Sequence, residues 1–198
     1  MINLGFRDSL KELKSIKCLV ITGMLIACYV ILKNFLAFNA LTIKINFAFL
    51  PLAAIGMFFG PFVSVVSAIA CDLIAVMTNP LYAGSINPIF TLITMFEGLI
   101  YGIFLYRYDA KNKMSMCLSK IIIAQSIIVL IGHLILNTGA LYVLGMIKTG
   151  ESFYSLILMR VVKNLIELPV DLFLIFAVLI PLKTVYDRII LKREPHGQ

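Results

Sequence analysis

The stretch Leu156-Ile-Leu-Met-Arg160-Val-Val-Lys163-Asn164-Leu-Ile-Glu167-Leu-Pro-Val-Asp171-Leu-Phe-Leu-Ile-Phe-Ala-Val-Leu-Ile-Pro181 is long enough to cross a bilayer as one helix, yet it carries two bases, two acids and an amide. At about 100° per residue these five positions fall within one wedge, while Leu, Ile, Val and Phe occupy the rest of the helix surface. A charge at the bilayer centre costs about 2.5–3.5 kcal/mol even on the mildest scale, so the wedge must face protein, water or a polar ligand. It is the leading candidate for a functional site.

The rest of the chain reads the same way. Of 198 residues, 61% are hydrophobic and only 14% charged, too little polar surface to cover a soluble globule. Apolar runs cut by Pro, Gly and charge span Cys18–Phe38, Ile45–Phe59, Phe62–Met77, Pro88–Tyr106, Leu118–Leu144 and Leu156–Pro181. They predict an all-α integral membrane protein, a compact bundle of six transmembrane helices forming one domain over residues 1–198. These continuous runs lack the period-two alternation of a transmembrane β-barrel.

Basic residues set the orientation. Arg7, Lys11, Lys14 and Lys17 precede the first helix, Arg107, Lys111 and Lys113 follow the fourth, and Lys183, Arg188, Lys192 and Arg193 follow the sixth. With six crossings all three clusters lie on one side, so both termini are expected in the cytoplasm. Residues 1–17 then form a cytoplasmic amphipathic segment and 182–198 a basic cytoplasmic tail. A cleaved signal peptide is the rival reading of the start, but it lacks an A-x-A site. The net charge of +7 follows from this bias, and there is no soluble basic face for nucleic acid.

Catalytic and metal signatures are missing from the sequence. It has no phosphate-binding loop, no Ser/His/Asp or Cys/His constellation and no H-E-x-x-H, so neither an enzyme nor a bound cofactor is expected. Cys18, Cys28, Cys71 and Cys117 form no C-x-x-C pair and read as buried small hydrophobes. His133, one turn before Asn137, reads as an interhelical hydrogen bonder. Uphill movement of a solute would need an ion gradient or another polypeptide's ATPase.

Small residues point to close helix packing. Gly56/Gly60 and Gly98/Gly102 form G-x-x-x-G pairs, and Gly23/Ala27 a third small pair on the first helix. On the outer side, Asn39–Asn46, Thr78–Asn87 and Gly145–Ser155 connect the helices. The middle connection is apolar and marked by proline, and its Tyr82 suits either a ligand ring or an interfacial anchor. Arg160, Lys163 and Asn164 fall in the outer half of the last helix, beneath these connections, implying a pocket open to the outside.

The run Lys44-Ile-Asn-Phe-Ala-Phe-Leu-Pro51, with Gly56, Phe59-Gly60-Pro61, Asp72, Pro80, Tyr82, Pro88, Phe90-Thr91-Leu92, Gly98 and Gly102, resembles the substrate-binding S components of energy-coupling factor (ECF) vitamin transporters. Leu136-Asn137-Thr138 with Arg160, Lys163-Asn164 and Leu168-Pro169 resembles the folate-specific branch. The resemblance implies a multi-pass protein of a prokaryotic plasma membrane that binds folate from outside. It also implies partners: an EcfT-type transmembrane coupling protein, docking on Gly23 and Ala27, and two ATPase subunits. Where the folate pattern has an arginine near the end of the first helix this chain has Lys33-Asn34, and it has no tryptophan. A related heteroaromatic vitamin or precursor therefore stays open.

For such a ligand, Asn137, Asn164 and Asp72 suit a pterin ring, Tyr82 and Phe90 its aromatic portion, and Arg160, Lys163 and Lys44 its carboxylates, with Asn34 nearby at the outer end of the first helix. The competing reading has Arg160, Lys163, Glu167 and Asp171 neutralising one another, and Lys33 reaching out to the interface. A stand-alone ion-coupled carrier and a non-transporting scaffold are the alternative functions.

Overall fold

A computed structural model describes residues 6–35, 38–40, 43–45, 47–79, 87–106, 114–144, 153–186 and 188. A short helix α1 (Phe6–Glu12) leads into α2 (Ile16–Phe35), followed by a two-stranded antiparallel hairpin of β1 (Phe38–Ala40) and β2 (Ile43–Ile45). Then come α3 (Phe49–Phe59), α4 (Pro61–Thr78) and α5 (Pro88–Leu105). Helix α6 (Met114–Ile127) continues through a π-helical stretch, Ile128–Leu136, into α7 (Asn137–Val143), and α8 runs from Phe153 to Tyr186.

Among the described residues, five stretches are long and apolar enough to cross a membrane: Ile16–Phe35, Pro61–Thr78, Pro88–Leu105, Ser119–Val143 and Arg160–Tyr186. Helix α3 differs. Its 11 residues reach only about 16 Å at 1.5 Å per residue, half the ~30 Å hydrocarbon thickness, and every residue from Pro51 to Phe59 is buried. A helix that is apolar all round belongs in the interior, and α3 sits there against α2, α4, α5 and α8.

The expected second helix, Ile45–Phe59, is therefore shorter at its start. Ile45 pairs with Phe38 in the hairpin, Lys44 with Asn39 and Ile43 with Ala40, so the backbone there is committed to a ladder. Helix α3 begins only at Phe49, and Pro51 falls in its first turn, where its missing N–H has no helical acceptor to lose. The same hairpin ends α2 at Phe35 rather than Phe38.

Glycine explains how α3, α4 and α5 come so close. A Cβ on Gly56 would stand 2.8 Å from the Gly102 nitrogen, one on Gly98 2.9 Å from the Ser64 carbonyl, and one on Gly102 2.7 Å from the Pro61 nitrogen. Both G-x-x-x-G pairs are thus spent inside the bundle. Gly60 turns the chain from α3 to α4 at φ 87°, a left-handed conformation that favours glycine, and Pro61 opens α4 at its first position. Ser9 from α1 locks this turn by donating to the Phe59 carbonyl at 2.6 Å and accepting from the Val63 N–H at 3.2 Å.

These contacts gather one end of the bundle. Tyr106, just after α5, lies against Gly60, and Tyr186 at the end of α8 stacks on Phe58 with ring centroids 4.3 Å apart. Helix α1, the α3–α4 turn and the ends of α5 and α8 therefore meet there. The opposite end carries the end of α2, the end of α4 and the start of α5.

Candidate functional site

The polar wedge of α8 turns inward. Asn164 and Asp171 are buried and Arg160, Lys163 and Glu167 half-buried, whereas Leu158, Val162, Leu165, Ile166, Val170 and Phe173 on the other faces of the helix are exposed. Three rungs of polar contacts tie this face to its neighbours. Deepest, the Tyr101 hydroxyl donates to Gln125 Oε1 at 2.7 Å, and Gln125 Nε2 donates to Asp171 Oδ2 at 3.0 Å. Above it, His133 Nε2 lies 3.2 Å from Glu97 Oε1 across α5 and the π-helical stretch. Outermost, Arg160 Nη1 donates to Thr138 Oγ1 at 3.4 Å.

The α8 charges have different partners. Lys163 pairs with Glu167 one turn on, Nζ to Oε1 3.3 Å, and Asp171 is held by an uncharged amide. Arg160, always cationic, meets only a neutral hydroxyl and has no carboxylate partner among the described residues. The amide of buried Asn164 has no hydrogen-bond partner among them either.

A second cluster joins α2, α4 and α5. Lys33 Nζ lies 2.7 Å from Asp72 Oδ1, and Thr91 Oγ1 donates to Asp72 Oδ2 at 2.7 Å. Lys33 therefore turns inward instead of reaching for the interface, because a carboxylate whose side chain is only 6% exposed requires a cation beside it. Asn34 Nδ2 donates to the Ala75 carbonyl and to Thr78 Oγ1, and its Oδ1 accepts from Asn79. Asp72 and Asn34 thus spend their polar groups on neighbouring helices.

Phe90 is half-buried in the first turn of α5, which Asn87 caps by accepting from the Ile89 N–H at 3.1 Å. Asn137 is half-buried where the π-helical stretch passes into α7. Lys44 belongs to β2, but its side chain lies outside the described residues, as does all of Tyr82. Gly23 and Ala27 are exposed on α2, and a Cβ on Gly23 would find nothing within 4 Å.

The sequence reading passes over Glu97, Tyr101 and Gln125, and names Thr91 only within the motif Phe90-Thr91-Leu92, without a role. For Glu97 a signal exists: it is the one acid in the apolar run of α5, subject to the same desolvation argument that singles out the α8 charges. Gln125, Tyr101 and Thr91 are uncharged, and nothing in their local pattern announces their partners.

The family model for the ECF transporter, substrate-specific component, matches residues 17–179. The chain belongs to this family. Among similar proteins, the folate transporter FolT of Clostridium novyi (strain NT) is 29% identical over 164 residues, covering 83% of this chain and 88% of that protein. FolT of Leuconostoc mesenteroides subsp. mesenteroides is 28% identical over 156 residues, covering 77% and 78%. A crystal structure of FolT bound with folic acid superimposes with a TM-score of 0.67 at 25% identity, covering 82% of this chain and 92% of that one. As a substrate-specific component, the chain is a multi-pass membrane protein of a transporter. The matched span takes in every polar rung described above and the exposed small-residue pair of α2.

Proposed function

We propose that this substrate-specific component captures folate from outside the cell and passes it inward through an ATPase-driven coupling module. The observation that carries the reading is Arg160: a permanent cation on the inward face of a membrane helix, without a carboxylate partner among the described residues. An anionic ligand would complete it, and folate brings two carboxylates. Likeness to two folate transporters and to a folic acid-bound structure supports that choice of anion. Asn164, whose amide has no partner among the described residues, and half-buried Asn137 supply donors and acceptors for the ring. Phe90 offers an aromatic surface, and Lys163, Lys44 and Tyr82 complete the proposed site, whereas Asp72 and Asn34, expected there from the sequence, are committed to Lys33, Thr91, Ala75, Thr78 and Asn79 and support it from behind.

In this reading the chain is one membrane domain of a prokaryotic plasma membrane with six traverses, α3 supported by its neighbours as the short one, and both termini in the cytoplasm. Support comes from the basic clusters flanking α2, α5 and α8, and from the meeting of α1 with the ends of α5 and α8 at one end of the bundle. Gly23 and Ala27, exposed on α2, form the face for the coupling protein, with two ATPase subunits beyond it. The chain itself hydrolyses nothing.

Extraction of the detergent-purified protein followed by mass spectrometry should release a folate. Calorimetric titration of ligand-free protein with folic acid should give saturable 1:1 binding. Absence of heat with folic acid, together with recovery of a different heteroaromatic vitamin, would assign the substrate elsewhere.

A further inference from the structure

We propose that the end of the bundle built by α1, the start of α2 and the end of α8 is a docking surface for anionic phospholipid headgroups of the cytoplasmic leaflet. The inference rests on the orientation proposed above and not on the choice of folate as ligand.

Two contacts bring the surface together. Ser9 of α1 donates to the Phe59 carbonyl, and Tyr186 of α8 stacks on the neighbouring Phe58. Lys11 stands two residues after Ser9, about 200° around α1, so the burial of Ser9 turns Lys11 outward. Arg188 stands two residues after Tyr186, and it is exposed as Lys11 is. Lys14 and Lys17, also exposed, flank the first residue of α2. The stretches 7–17 and 183–188 carry six bases against three acids, so even complete pairing leaves three positive charges at this end. Lys11, Lys14 and Arg188 have no acidic partner among the described residues.

The neighbouring apolar surface decides what covers these charges. Ile16 is 78% exposed and Leu10 46%, and Leu19 and Val20 extend the exposed apolar surface along α2. Bases thus rim a surface that continues into the hydrocarbon region, the arrangement of a segment lying at a membrane interface. Tyr106 and Tyr186, half-buried at the same end, fit the headgroup level at which tyrosine is enriched. A lysine at that level lays its alkyl stem along apolar surface and puts its ammonium among phosphates. A protein partner suits the surface less well, because lysine is depleted from the cores of protein–protein interfaces. The proposed coupling face is also separate: Gly23 lies seven residues beyond Ile16, about 10 Å along α2.

Apparent affinities for phosphatidylglycerol and for phosphatidylcholine with the same acyl chains should be measured by native mass spectrometry on the full chain in a non-ionic detergent. Each uncompensated base near an anionic surface contributes about fivefold, so the wild type should prefer phosphatidylglycerol by about 10- to 100-fold. The triple variant Lys11→Gln, Lys14→Gln, Arg188→Gln should reduce the preference to within about threefold. The charge-preserving variant Lys11→Arg, Lys14→Arg, Arg188→Lys should keep it. No preference in the wild type, an undiminished one in the glutamine variant, or an equal loss in the charge-preserving variant overturns the proposal. Glycerol 3-phosphate should not displace the lipid; full displacement would assign the surface to a soluble phosphate and overturn it as well. So would a glutamine variant that keeps the lipid preference but no longer assembles with the coupling protein, since the face would then belong to that partner. Labelling of Lys14→Cys, above the wild-type background, by an impermeant maleimide outside intact cells would refute the orientation itself, a distinguishable result.

Discussion

Replacing Lys33 and replacing Asp72 should have unequal costs, and the inequality can be worked out from their surroundings. Asp72 is 6% exposed at its side chain and accepts from Lys33 on one oxygen and Thr91 on the other, both at 2.7 Å. Lys33→Met would leave a buried carboxylate with a single hydroxyl donor. Breaking a buried pair in this way costs 3–5 kcal/mol in well-enclosed cases, and the 28% exposure of Lys33 reduces that to about 2–3 kcal/mol. Asp72→Asn keeps the Thr91 contact and leaves a lysine whose long stem can carry its ammonium to the interface, a loss of about 1 kcal/mol. The double variant Lys33→Met, Asp72→Asn removes both charges and should be more stable than Lys33→Met alone by roughly 1–2 kcal/mol. The fraction of monodisperse protein left after heating in detergent gives the melting temperatures. At about 2–4 °C per kcal/mol, Lys33→Met should melt about 4–12 °C below wild type and the double variant partway back. Equal losses from the two single changes, or no recovery in the double, would refute the account of Lys33 as the counter-ion of Asp72.

Gly102→Ala should destabilise by about 1–3 kcal/mol or prevent folding, since its Cβ would press on the Pro61 backbone, whereas Gly23→Ala, with nothing within 4 Å, should leave the melting temperature unchanged. Ser9→Ala removes both hydrogen bonds at the α3–α4 turn and should lower stability by about 1–2 kcal/mol in the same assay. Leu at both Gly23 and Ala27 should preserve ligand affinity while abolishing ATP-driven uptake in reconstituted vesicles; equal loss of binding would show that this face packs internally. Arg160→Met should weaken folic acid binding about 10- to 100-fold with little change in melting temperature, because it strips no carboxylate of its partner among the described residues.

Helix positions are readable from the chain because desolvation acts on single residues. A run without charges must be helical in lipid, and the wedge from Arg160 to Asp171 must turn inward whatever it meets there; the structure agrees, with Val162, Leu165 and Ile166 exposed and Asn164 and Asp171 buried. Hairpin β1–β2 was less legible, since strands of three residues fall inside a segment whose apolar content also fits a helix start.

Partner choice is a different kind of quantity. Periodicity places Lys163 and Glu167 on one face and so anticipates their pairing one turn apart, but Lys33 and Asp72 are 39 residues apart, and Tyr101, Gln125 and Asp171 come from three helices. Their meeting depends on how far α3, α4 and α5 interpenetrate, which the glycines at 56, 98 and 102 decide through backbone contact. Helix interpenetration and partner choice are thus linked. Once close α3–α4–α5 packing consumes both G-x-x-x-G pairs internally, Gly23/Ala27 is the small-residue pair left on an exposed helix face among the described residues, and α5 stands where Glu97 looks across at His133 rather than out at lipid. Relaxing that packing, as Gly102→Ala would, should therefore disturb the Glu97–His133 rung as well as stability.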